Sequence, residues 1–166
     1  MKSSELFDLL EENSQQLLDE KFQYGAVPVR VINLAITEMI EELAPNLWEK
    51  ELDRCVDFGH SFSPYIELKN VNQLLHGEAV SIGMACAARL AHSLGRVGED
   101  MVCRQNTLIS KFQLPQSLPS LDVSKDDLIT IMARDKKSVH GQLRFILPNK
   151  IGHVEMIADI HPDLVK

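Results

Sequence analysis

Two histidines offer the chain's first hint of chemistry. His60 lies in VDFGHSFSP and His76 in LLHGEAVSIGMA, sixteen positions apart and each beside a glycine. Neutral imidazoles suit zinc, and a carboxylate commonly completes a set that keeps one position open for a substrate. Ligands that share one helical turn sit three or four residues apart. A metal shared by these two therefore requires two helical pieces folded against each other. Pro64 and the residues after Tyr65 make that reversal possible, and Gly59 and Gly77 permit close backbone approach. Glu78 is a third ligand or a residue that orients a histidine. Neighbouring positions on a helix point in different directions, which favours orientation. Spacing alone is a weak signal, and two histidines held by ordinary polar contacts are the better reading of it.

The elements that must position these residues are mainly helical. Leu6, Leu9, Leu10, Leu17 and Leu18 recur near helical spacing and predict an amphipathic helix over 4–20, with Ser3 or Ser4 as its cap. Gly25 and Pro28 mark a turn. Val31, Leu34, Ile36, Ile40 and Leu43 predict a second helix, ended by Pro45. Asn46 can cap a third, running from Leu47 through Trp48, Leu52, Cys55 and Val56 toward His60 until Pro64 interrupts it. Residues 67–75 read as a connection. The small-residue run from His76 to Leu94 predicts a helix packed closely on several sides, stopped by Gly95. A further helix covers about 98–113, and Ser124 with Asp127 opens a short one. LRFILP and HVEMI alternate around Pro148, Asn149 and Gly152, which predicts a small hairpin. The expected architecture is one helical domain over 1–166 with a small β-hairpin near the C-terminus.

Bulk properties narrow the function. A length of 166 residues, 45% of them hydrophobic, suffices for a real core. A formal charge of -7 excludes the basic footprint that nucleic acid demands but leaves room for a small anionic substrate held by a few local cations. Cys55, Cys86 and Cys103 form no CxxC unit and read as reduced, largely buried thiols. The acidic start MKSSELFDLLEENSQQ has no secretory apolar stretch, and no run approaches the ~18 apolar residues of a membrane helix. The expected location is cytoplasmic, away from membranes.

Four segments, GHSFSPYIE, LLHGEAVSIGM, MARDKK and GQLRFILPNKIGHVE, run in the order of the signatures of the sugar-phosphate cyclases. The chain resembles the C-terminal domain of these 3-dehydroquinate synthase-like enzymes over about residues 50–157. The resemblance implies that His60 and His76 are two zinc ligands. It implies a reaction on a small sugar phosphate: NAD oxidises a secondary alcohol of a heptulose phosphate, phosphate is eliminated, the ketone is reduced, and the ring closes by aldol addition. It also implies that Arg54, Lys136 and Lys137 hold the phosphate, although a lone Lys-Lys pair would otherwise read as solvated surface. Asp57, three residues before His60, would share its helix face and orient substrate hydroxyls.

Departures from 3-dehydroquinate synthase point to a branch. Pro64 replaces a second histidine, Asp57 an asparagine and Met39 a lysine. ITEMIEELAPNLWEKELDRCVDFGHSFSP is more similar to the sedoheptulose 7-phosphate cyclases, and Leu43, Asp57 and His140 to their valiolone-forming members. His140 reads equally well as a turn residue before Gly141. The family's NAD-binding domain has no counterpart here, since no Gly-rich strand-to-helix turn is found. The resemblance places the third zinc ligand, a glutamate of an AExxK-like motif, before the segment ELFDLLEEN and outside these residues. The expectation is an isolated helical half that is inactive alone and needs the missing NAD domain, with a homodimer for the full-length enzyme. Its amphipathic first helix would normally pack on that missing half. The rival readings are 3-dehydroquinate synthase proper and a non-catalytic helical assembly module.

Overall fold

The computed structural model describes residues 2–48, 50, 55–69, 74–117, 144–158 and 160–161. Among these residues five α-helices and a hairpin follow in order: α1 Ser4–Asp19, α2 Ala26–Leu43, α3 Ser63–Lys69, α4 His76–Ser93, α5 Glu99–Lys111, β1 Phe145–Lys150 and β2 His153–Ile157. The mainly helical architecture with a C-terminal hairpin agrees with expectation. No described helix is long and apolar enough to cross a membrane.

α1 starts as its sequence predicts, with the Ser3 hydroxyl accepting from the Leu6 amide at 3.2 Å. Its buried side chains are Phe7, Ser14 and Leu17, the last fully enclosed, and the helix packs on α2 and α5. Of the predicted stripe only Leu17 is fully enclosed, while Leu6, Leu9, Leu10 and Leu18 are half-buried. Arg104 of α5 fastens the helix, donating to Asp8 at 2.7 Å and to both Glu11 oxygens while lying 5.0 Å over the Phe7 ring.

α2 begins earlier than the hydrophobic spacing suggests. Gly25, at φ +88°, turns the chain into it, and Pro28 sits inside its first turn, where no intrahelical amide is required. Val29, Ile32, Ile36, Met39 and Ile40 on α2 are exposed, so α2 carries uncovered apolar surface. After α2 a short 3-10 turn spans Ala44–Asn46 and a second spans Cys55–Asp57. The predicted α-helix from Leu47 to His60 does not form at either described end. Leu47 and Trp48 are 67% and 82% exposed, so no burial rewards their helical spacing. Pro64 lies in the first turn of α3 where a helix break was expected, and α3 occupies part of the stretch read as a connection.

α4 is the hub. Ala79, Ile82, Gly83, Ala85, Ala87, Ala88, Leu90 and Ala91 are all buried, more than one helix face can hold, and α3, α5 and β1 pack around it. Small side chains let these neighbours approach. Gly95, at φ +69°, ends the helix as predicted: its amide donates to His92 O at 2.8 Å and that of Arg96 to Ala91 O at 2.9 Å. The buried Gln105 of α5 donates to Met84 O at 3.0 Å.

The hairpin is antiparallel, pairing Phe145 with Ile157 and Leu147 with Glu155, with an irregularity between Pro148 and Lys150 that tolerates the proline. β1 is buried from Phe145 through Pro148, so its alternation is lost. Leu147 and Phe145 join the α4 core cluster, while the Ile146 amide donates to Ser61 Oγ at 3.3 Å.

Candidate functional site

The segment 55–62, which carries Asp57 and His60, is held from three directions. The Cys55 amide donates to Glu42 Oε1 of α2 at 3.2 Å, and Lys2 grips the other oxygen of that carboxylate at 2.6 Å. The Lys2 hydrogen bond holds the Glu42 carboxyl below the usual glutamate range, against the opposing pull of burial, with the Cys55 amide adding to the drop. Burial, more than the nearby Glu42 charge, pushes the Cys55 thiol up, and it donates to Val154 O of β2 at 3.4 Å. From the hairpin side, Phe62 lies against Phe145 with ring centroids 5.4 Å apart.

The third contact sets the histidine geometry. Gly59 has φ +92°, a conformation that L side chains rarely adopt, and a Cβ there would stand 2.8 Å from Val80 O and 2.9 Å from Met84 Cγ. A Cβ on Gly83 would run into the Gly59 carbonyl oxygen and stand 3.0 Å from its carbon. The loop therefore rests backbone to backbone on α4, and the Gly59 oxygen accepts from the Phe62 and Ser63 amides, each at 3.1 Å, at the entry to α3. Gly77 plays no such part, because a Cβ there would meet nothing within 4 Å.

His60 follows Gly59 directly, and His76 is the first residue of α4. Their ring centroids are 5.4 Å apart with the planes at 52°. Two imidazoles sharing a tetrahedral zinc at ~2.0–2.1 Å N–metal distance have centroids about 5 Å apart, so the spacing fits a shared cation. His76 Nδ1 lies 2.9 Å from Glu67 Oε1 of α3. Glu78, expected to orient a histidine, instead turns back to accept from the Leu75 amide at 2.7 Å and so closes the start of α4. Glu67 was missed because its nine-residue separation from His76 has no helical period, and only the packing of α3 on α4 makes it a neighbour.

Asp57 is buried at 7% exposure and ends the 3-10 turn, where its carbonyl accepts from the His60 amide at 2.8 Å. It precedes His60 by one tight turn and does not share a regular α-helical face with it. Met39 is 48% exposed on α2, and Pro64 is exposed on α3. Arg54, Lys136, Lys137 and His140, with the short helix expected at Ser124, lie outside the described residues. Among the described residues, no three His, Cys, Asp or Glu side chains converge as a metal-holding group. Within them, the candidate site is a pair of imidazoles with the Glu67 carboxylate beside one of them.

Known proteins resemble the chain over most of its length. The family model for the 3-dehydroquinate synthase C-terminal region matches residues 1–138. A 2-epi-5-epi-valiolone synthase of Streptomyces albus is 40% identical over 98% of this chain and 40% of its own length. A 3-dehydroquinate synthase of Prochlorococcus marinus is 34% identical over 99% of this chain and 45% of its own. Among solved structures, the 2-epi-5-epi-valiolone synthase of Streptomyces hygroscopicus subsp. jinggangensis 5008, with NAD+ and Zn2+ bound, superimposes with a TM-score of 0.90. It is 38% identical, over 99% of this chain and 45% of that one. The chain thus spans less than half the length of these relatives. With the model covering most of its residues and the same fold in the valiolone synthase, the chain belongs to the 3-dehydroquinate synthase C-terminal family.

Proposed function

We propose that this chain is the metal- and substrate-binding helical part of a sugar-phosphate cyclase whose substrate is a heptulose phosphate, sedoheptulose 7-phosphate. His60 and His76 are two ligands of a catalytic zinc, Asp57 orients substrate hydroxyls, and Arg54, Lys136, Lys137 and His140 contact the substrate and its phosphate. NAD binds in a separate domain of the complete enzyme, which is a homodimer in the cytoplasm. The observation that carries the reading is the 5.4 Å approach of the two imidazoles from segments sixteen residues apart. Zinc, when bound, supplies Lewis-acid polarisation of a hydroxyl or carbonyl oxygen. What the chain contributes is placement: a glycine-seated loop fixes one imidazole and a helix start fixes the other.

The valiolone-forming branch is preferred over 3-dehydroquinate synthase because proline at 64 can neither donate to phosphate nor relay a proton. Met39 likewise offers no cation. Among the described residues no third donor joins the two imidazoles, and two imidazoles by themselves bind zinc weakly, which supports the reading that this part alone is inactive. Equilibrium dialysis against Zn2+ tests the metal assignment. The chain is expected to take up one ion, with affinity at least ~10-fold lower in His60→Ala and in His76→Ala. Unchanged uptake in both variants refutes it. Turnover of sedoheptulose 7-phosphate with NAD by the purified chain refutes the inactivity of the isolated part.

A further inference from the structure

We infer that Glu67 is a positioning residue for His76, fixing which ring nitrogen carries the proton and which is left to bind metal. The inference rests on the reading of His60 and His76 as zinc ligands. The contact itself is simple: Glu67 Oε1 lies 2.9 Å from His76 Nδ1. An ionised carboxylate can only accept, so the proton of this hydrogen bond sits on Nδ1. In the neutral ring the lone pair is then confined to Nε2. Free imidazole side chains interchange tautomers, so a carboxylate at one nitrogen removes the choice.

A surface ion pair would be the plain alternative, and the exposures of 64% for the His76 side chain and 37% for Glu67 invite it. Three observations argue for more. Glu67 follows Ile66, which is 3% exposed and locked in the core, so its backbone has little freedom to drift. His76 is the first residue of α4, and its backbone is fixed by the helix that forms the hub of the core. The His76 ring also lies beside a second imidazole at 5.4 Å, so the orientation set by Glu67 decides what the two rings present jointly. A carboxylate behind a metal-binding histidine raises its basicity and holds the ring plane. Loss of such a partner commonly costs about 10–100-fold in metal affinity.

The test reads the tautomer and the metal separately on the same chain. Long-range 15N–1H spectra, with the ring assigned through His76→Ala, should show His76 protonated on Nδ1. In Glu67→Ala the ring should shift toward the Nε2-protonated form, with helix content unchanged by circular dichroism. Zn2+ affinity should drop about 10–100-fold in Glu67→Ala and recover largely in Glu67→Gln, whose amide oxygen also accepts. Glu99→Gln, on the exposed start of α5, should match the parent. An Nε2-protonated His76 in the parent chain, or a tautomer indifferent to Glu67→Ala, overturns the inference. Zinc binding lost in His60→Ala and His76→Ala but untouched in Glu67→Ala sinks the inference alone. Zinc binding that survives both histidine replacements sinks the metal reading and takes the inference with it.

Discussion

Gly83→Ala adds one methyl group where α4 meets the backbone of Gly59. That methyl carbon would stand 3.0 Å from the Gly59 carbonyl carbon and 3.2 Å from its Cα, and closer still to the oxygen. Carbon pairs rest at ~3.5–4.0 Å, so the two backbones must part by about 0.5–1 Å. The obstacle cannot rotate away, because the Gly59 oxygen is tied to the amides of Phe62 and Ser63. Alanine gains about 1 kcal/mol over glycine within a helix, whereas overpacking costs about 1–3 kcal/mol, and the rigid neighbour places this case at the upper end. The net loss is about 1–2 kcal/mol, a fall in Tm of roughly 3–8 °C for a chain of this size. Metal sites tolerate only about 0.2 Å of error in ligand distance, so displacing His60 by more than that should cut Zn2+ affinity at least ~10-fold. Thermal unfolding by circular dichroism and competition with a chromophoric chelator read the two effects. Gly77→Ala is the control, since its methyl meets nothing within 4 Å, and Tm should stay level or rise slightly. A Gly83→Ala chain with the parent's Tm and zinc affinity would refute the idea that this backbone contact sets the histidine spacing.

Acid should loosen the His60 loop through Glu42. Its carboxyl is held below the ordinary range by Lys2, so its contribution is complete above that range and disappears as pH falls through the lowered folded-state value. Hydrogen exchange at the Cys55 amide should accelerate in that window, and Glu42→Gln should make the acceleration absent. Arg104→Ala removes the fork on Glu11, the bond to Asp8 and the stacking over Phe7. The groups are substantially exposed, so the expected cost is about 1 kcal/mol, or a Tm lower by roughly 2–4 °C. Arg104→Lys should recover only part of it, because lysine lacks the planar fork. Raised salt should narrow the gap in thermal melts between the parent chain and Arg104→Ala.

The parts of the fold that were legible were those where local chemistry and burial agree. Ser3 caps α1, the small residues after His76 make the hub helix, and Gly95 stops it, because each signal acts within a turn or two of its own position. Leu47 and Trp48 misled because helical spacing promises a buried face, and these side chains found none. Pro64 suggests a break along the sequence, although a missing amide is harmless in a first turn. Shared metal binding requires His60 and His76 to converge, and the means of that convergence was half visible. Gly59 stood out, but its partner Gly83 lies hidden in a run of alanines, and Gly77 drew attention it had not earned. Glu67 was invisible for the same reason: its meeting with His76 belongs to the packing of two helices and to no spacing along the chain.

The glycine seat under His60 separates two properties that many sites entangle. Imidazole spacing is written in main-chain atoms, at 59 and 83, whereas Met39 and Pro64 are exposed side chains outside that contact. Exchanging the latter should therefore leave the distance between the two imidazoles unchanged. A scaffold of this kind can vary its exposed side chains while the hinge pins stay in place.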